Sequence, residues 1–127
     1  MTDRHRPWSP AELEAKVPEA VDRLHDAVAS LRSYGVAAAR TEWAYREAMA
    51  ECQARTEGAN KEQRDANAVL MLVGMACPIK GWENLHPGLA RDLARNQYAD
   101  QRSVIAAISE DIGVMKTLMV SARKNEA

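Results

Sequence analysis

Ile105-Ala-Ala-Ile-Ser-Glu-Asp-Ile-Gly-Val-Met-Lys-Thr-Leu-Met119 decides how this chain folds. Ile105, Ile108, Ile112, Met115 and Met119 recur in it in alternating steps of three and four. That spacing keeps one stripe of an α-helix turned towards a partner helix, and it is not the two-residue alternation of a strand. Extended outward, the stripe takes in Ala94, Tyr98 and Gln101 upstream and Ala122 downstream, with Val104 and Leu118 beside it. Pro87 suits the first helical position, and Lys116, Arg123 and Lys124 suit the negative end of the helix dipole. The pattern predicts a helix over residues 87–124.

The N-terminal half carries a second stripe with the same steps. Val17, Val21, Leu24, Val28, Leu31, Gly35, Ala38, Glu42, Tyr45, Met49 and Cys52 form it; Glu42 interrupts it, and Gly35 and Ala38 permit close approach. Ser9-Pro10-Ala11-Glu12 reads as a capping box: a serine to accept the first free N–H, a proline at the first helical position, and a glutamate three residues after the serine. The helix predicted over residues 10–57 stops at Gly58. Pro18 leaves two readings open, one bent helix or a short helix followed by a new one.

Between the two lies Ala68-Val-Leu-Met-Leu-Val-Gly-Met-Ala76, dense enough in apolar side chains to be a buried strand or a buried helix. Helix is the better reading, over residues 63–76, because the preceding Lys61–Ala66 stretch is helix-compatible and the rest of the chain offers no partner strand. Two prolines and two glycines between Cys77 and Gly88 make a loop over residues 77–86. The sequence therefore predicts an all-α protein: a flexible arm over residues 1–8, then a single domain over 9–127. That domain is a long antiparallel helical hairpin with a short apolar helix inserted between its arms. Two one-stripe helices bury little by themselves, so a dimeric bundle is expected.

Composition narrows the function. The 127 residues include 17 Lys and Arg against 18 Asp and Glu, a formal charge of −1, where a dedicated nucleic-acid binder carries a basic excess or patch. Cys52 and Cys77 are too far apart for a CxxC unit and read as reduced cytoplasmic thiols. No charged-then-apolar leader opens the chain, and its longest apolar run is too short to span a membrane. His5, His25 and His86 are scattered, with no partner at metal-ligand spacing. The carboxylates recur four residues from arginines or lysines, the pattern of solvated helix faces. No phosphate-cradling glycine loop or activated nucleophile occurs. No enzyme, metal or cofactor is expected.

Two features stand above this background. Ile79, Trp82 and Leu85 lie among helix breakers; they either close over the short apolar helix or form an exposed knob for a protein partner. Arg91, Arg95 and Arg102 share one helix face at steps of four and seven, and form either a solvated face or a track for phosphates, with Asp92 and Asp100 nearby to oppose it.

Tyr45-Arg46-Glu47-Ala48-Met49-Ala50, the turn at Glu57-Gly58, and Arg91-Asp92-Leu93-Ala94 followed by Tyr98 and Ile108 resemble a group of small, uncharacterised bacteriophage proteins. Members are two long helices whose genes often lie near replication and recombination functions. The resemblance covers about half the chain and implies a DNA-metabolism accessory in the host cytoplasm. Two departures stand out: Arg95 occupies a place usually acidic in that group, and the 59–87 insertion is longer and more apolar. The reading from the residues themselves is a self-associating adaptor or regulator with a protein partner and weak or absent nucleic-acid binding. A structural or assembly component is a further alternative.

Overall fold

The computed structural model describes residues 8–126. The arm expected over residues 1–8 lies outside the described residues, except for Trp8. Three helices follow: α1 (Pro10–Arg55), α2 (Lys61–Val73) and α3 (Pro87–Glu126), with no strand among the described residues. The all-α hairpin with a short inserted helix is the fold observed. Residues expected to form one domain are divided between two compact units, Met1–Leu31 with Gln101–Ala127 and Arg32–Asp100.

In the first unit α1 and α3 pack antiparallel. Leu13, Ala20, Ile112 and Met115 form the buried core, flanked by Val17, Val21, Leu24, Ile108 and Met119. The Gln101 side-chain amide donates to the Ala27 carbonyl at 2.8 Å, and Arg123 pairs with Glu14 at 3.7 Å. Ser9 caps α1 as its position predicts, its hydroxyl accepting from the Glu12 amide at 3.2 Å.

Helix α1 runs unbroken through Pro18. Proline there leaves the Glu14 carbonyl without its helical donor, a cost of about 3 kcal/mol in a helix interior. Leu13 and Ala20, both fully buried, hold the helix on either side of the defect. Because Pro18 is exposed, Pro18→Ala removes no packing and restores the bond. We expect it to stabilise the fold by about 1–3 kcal/mol, read as a rise in the urea midpoint.

The second unit holds α2 and the loop. Helix α1 ends at Arg55 rather than at residue 57, and the chain reverses over residues 56–60. A Cβ at Gly58 would lie 3.0 Å from the Arg64 backbone nitrogen, so the close approach of the first turn of α2 demands glycine. Asn60 caps α2, accepting from the Gln63 amide at 2.8 Å, while the Gln63 side chain accepts from Ala59 N–H at 2.9 Å. This reciprocal cap starts α2 at Lys61, two residues before the position predicted. Gly74 ends it three residues earlier than predicted, its N–H bonding to carbonyls of the last turn. Ala48 and Cys52 of α1 pack with Ala68 and Leu72 of α2 into one buried cluster.

The stripe of α3 is the one the sequence shows: Ala94, Tyr98, Gln101, Ile105, Ile108, Ile112, Met115, Met119 and Ala122 are all buried or partly buried. That of α1 is rotated. Val17, Leu24, Leu31, Ala38, Tyr45 and Cys52 keep their place, and Val21, Gly35, Glu42 and Met49 of the expected second row are partly buried, but Val28 is exposed and a deeper row through Leu13, Ala20, Ala27, Thr41 and Ala48, with Tyr34 partly buried, runs one residue before it. Ala27 is 8% exposed and Val28 43%. Alanine lets two helices approach more closely than valine does, and close packing outweighs side-chain size here. Thr41, fully buried, satisfies its hydroxyl within α1 by donating to the Ala37 carbonyl at 2.8 Å. The rotation moves Glu42 off the stripe to its edge.

Candidate functional site

At that edge Glu42 gathers the arginines. Arg46, one turn on, donates to one carboxylate oxygen at 3.1 Å; Arg95 of α3 donates to the other at 2.9 Å, and Arg91 lies 3.9 Å from it. Arg91 also donates to Asp92 at 3.1 Å and stacks on Tyr45, its guanidinium carbon 3.7 Å from the ring centroid. Burial, the largest influence on Arg91, works against its charge. The hydrogen bonds to Asp92 and Tyr45, with their charges, outweigh it and hold the guanidinium above its usual range. Arg91 is thus a permanent cation clamped between helices, stacked as arginine can be and lysine cannot.

The arginine stripe read from spacing is therefore divided. Arg91, with its side chain only 20% exposed, and Arg95 turn to Glu42, while Arg102 is exposed and belongs to the other unit. A phosphate approaching Arg91 or Arg95 must compete with carboxylates already in place. Tyr45 and Arg46 of α1 meet Arg91 and Asp92 of α3 in this one cluster.

Ile79, Trp82 and Leu85 are all partly buried. They pack on Ala44 of α1, Ala90 of α3 and Cys77. The loop that carries them closes on small residues of the long helices, where closure over α2 or an exposed knob was expected. Backbone bonds shape it: Cys77 N–H to the Leu85 carbonyl at 2.8 Å across its base, and Trp82 N–H to the Ile79 carbonyl at 2.9 Å within it. Gly81 turns the tip at φ 93°, a left-handed conformation open to glycine.

Exposed apolar side chains occur on all three helices, Trp43 of α1 and Val114 and Val120 of α3 among them, and α2 groups Val69, Leu70 and Val73 within five residues. The run that looked wholly buried has two faces. Ala68 and Leu72 are buried, whereas Leu70 is 73% exposed, Val73 54% and Val69 48%. Periodicity could not reveal this, since a helix apolar all round reads as buried whether or not anything covers its second side.

The remaining chemistry is sparse. A shallow groove of about 260 Å³ in the second unit runs past Glu47, Glu51 and Met75. Its two carboxylates sit one turn apart on the same helix, with Glu51 paired to Arg55 at 2.8 Å. Cys52 and Cys77 are free and buried, and the Cys52 thiol lies 3.4 Å from the Met75 sulfur. Among the described residues no three His, Cys, Asp or Glu side chains gather where a metal could be held, and no helix is long and apolar enough to cross a membrane. His86, weighed in the sequence only as a metal ligand, caps α3 by accepting from the Leu89 amide at 3.2 Å; histidine is not a usual capping residue, so only its place before Pro87 could have suggested that role. No family model matches the chain, and no curated protein or solved structure is detectably similar to it.

Proposed function

We propose that this protein is a non-enzymatic helical adaptor or regulator working through protein–protein contacts, with the outward face of α2 as its contact surface. The observation that supports the reading is the set of apolar side chains, Val69, Leu70 and Val73, standing in solvent on a helix whose other face is already buried. Large apolar side chains grouped on one exposed face mark interaction surfaces.

A nucleic-acid accessory, the role implied by the phage resemblance, draws on less. Two of its three candidate phosphate ligands, Arg91 and Arg95, are engaged by Glu42 and Asp92, and non-specific affinity needs several unopposed cations.

A photo-cross-linking residue placed at Leu70, in cells that carry the gene, separates the readings. Protein adducts are expected from position 70, well above those from the same residue placed at the exposed Ser33 of α1. Equal yields from the two positions would overturn the proposal. Adducts to nucleic acid would replace it with the accessory role.

A further inference from the structure

Within the unit of Met1–Leu31 and Gln101–Ala127, defects in the two helical backbones fall at one level. Pro18 leaves the Glu14 carbonyl of α1 without its donor. Across from it α3 carries Gly113, where a Cβ would meet nothing within 4 Å and φ is not positive. Neither space nor backbone geometry calls for glycine there, so it weakens the helix with no gain in packing. One turn on, the Thr117 hydroxyl donates to the Gly113 carbonyl at 3.0 Å, a bond of the kind that bends helices. Gln101 meets Ala27 and Arg123 meets Glu14, a register that sets Pro18 and Gly113 within about a turn of each other. A shallow cleft of about 300 Å³ opens at the same level, lined by Trp8, Lys16 and Arg23 on one side and Asp111, Val114 and Met115 on the other.

Between these defects and the chain ends, little holds the pair together. Leu13 and Met115 are the buried apolar residues of that stretch, with Val17, Met119 and Ala122 partly buried beside them. Its cross-helix ion pair, Arg123 with Glu14, is exposed on both sides and adds little. On the inner side of the defects Ala20, Ala27 and Ile112 are all buried.

We infer that the end of this pair, Pro10–Val17 of α1 with Val114–Lys124 of α3, is a separately opening element with its boundary at Pro18 and Gly113. The two segments part together while the remainder of the chain stays folded, and the opening uncovers Leu13, Val17, Met115 and Met119. Once parted, segments this short do not hold their helical hydrogen bonds in water. Ordinary fraying is different in kind. It peels each helix from its own end, so that protection rises residue by residue towards the interior. A bounded element opens in both helices at once, with one free energy shared by its amides and a step where the backbone is already weak. The inference is independent of the reading of α2 as a contact surface.

Native-state hydrogen exchange of the full chain, resolved amide by amide, tests this. Amides of residues 14–17 and 115–121 should share one protection factor, about tenfold or more below that of residues 23–27 and 103–110 in the same helices. The step should fall within about a turn of Pro18 in α1 and of Gly113 in α3. Gly113→Ala should raise the shared factor about fivefold, the equivalent of the glycine penalty in a helix interior. It should do so for residues 14–17 of α1 as much as for α3, although the added methyl touches nothing on α1. Pro18→Ala should raise the same factor by a similar or larger amount. Protection that climbs smoothly from each chain end, or that is equal on both sides of residues 18 and 113, would overturn the inference. So would a gain from Gly113→Ala that stays confined to α3.

Discussion

Ile112→Asp abolishes the ordered structure of the Met1–Leu31 and Gln101–Ala127 unit. Ile112 is 7% exposed and lies in the cluster of Leu13, Ala20 and Met115, where no polar group of the cluster can receive a carboxylate. The substitution exchanges apolar burial for the desolvation of a charge, a combination that costs about 4 kcal/mol or more. A single domain is stable by about 5–15 kcal/mol, so a loss of that size can remove most of it. Helical ellipticity should fall and the cooperative urea transition should weaken or disappear. Ile112→Val, which keeps the apolar contact and loses one methylene, should cost only about 0.5–1.5 kcal/mol. Wild-type ellipticity and midpoint in the aspartate variant would mean that the α1–α3 packing is wrong.

The second large effect belongs to Leu72, two residues from Leu70 and on the opposite face of α2. Leu72 is 3% exposed and packs with Ala48, Cys52 and Ala68. Truncating a buried leucine to alanine costs about 2–5 kcal/mol. A helix of 13 residues is marginal in water without tertiary contacts, so Leu72→Ala should release α2 before the rest unfolds. Hydrogen exchange would show this as lost protection confined to α2 amides. Leu70→Ala, by contrast, should stay within about 0.5 kcal/mol of wild type, as exposed substitutions do. Equal destabilisation by the two variants would show that both faces of α2 are covered within the chain.

These two sites show what was legible in the sequence. Three large isoleucines at heptad steps announce α3 and its buried face without help from the rest of the chain. In α1 the same rule finds the helix and one full row of its stripe, while the second row it picks, from Val21 to Met49, is the partly buried margin of a face whose deepest positions are Ala20, Ala27, Thr41 and Ala48. Yet Leu13, Ala20, Ala27, Tyr34, Thr41 and Ala48 recur every seven residues, a signal that ranking by fit rather than by size would have found. The fate of the arginines was not legible at all. Arg95 and its acceptor Glu42 stand 53 positions apart, and spacing within one helix says nothing about which carboxylate a second helix presents. Nor could the run from Ala68 to Ala76 disclose that only one of its faces is covered.

The 77–85 loop offers something practical. Its base is closed by the Cys77–Leu85 backbone bond and its underside is anchored by Ile79, Trp82 and Leu85. Its tip is the exposed pair Lys80 and Gly81, and a Cβ at Gly81 would meet nothing within 4 Å. Chain inserted between these two residues would open the Ile79–Trp82 turn but leave the Cys77–Leu85 bond at the base and the apolar contacts of the anchors to hold the loop, the condition under which loop tips accept foreign sequence. An affinity tag or fluorophore grafted there would sit on a stem built by the protein itself, a handle for following the molecule with both chain ends left untouched.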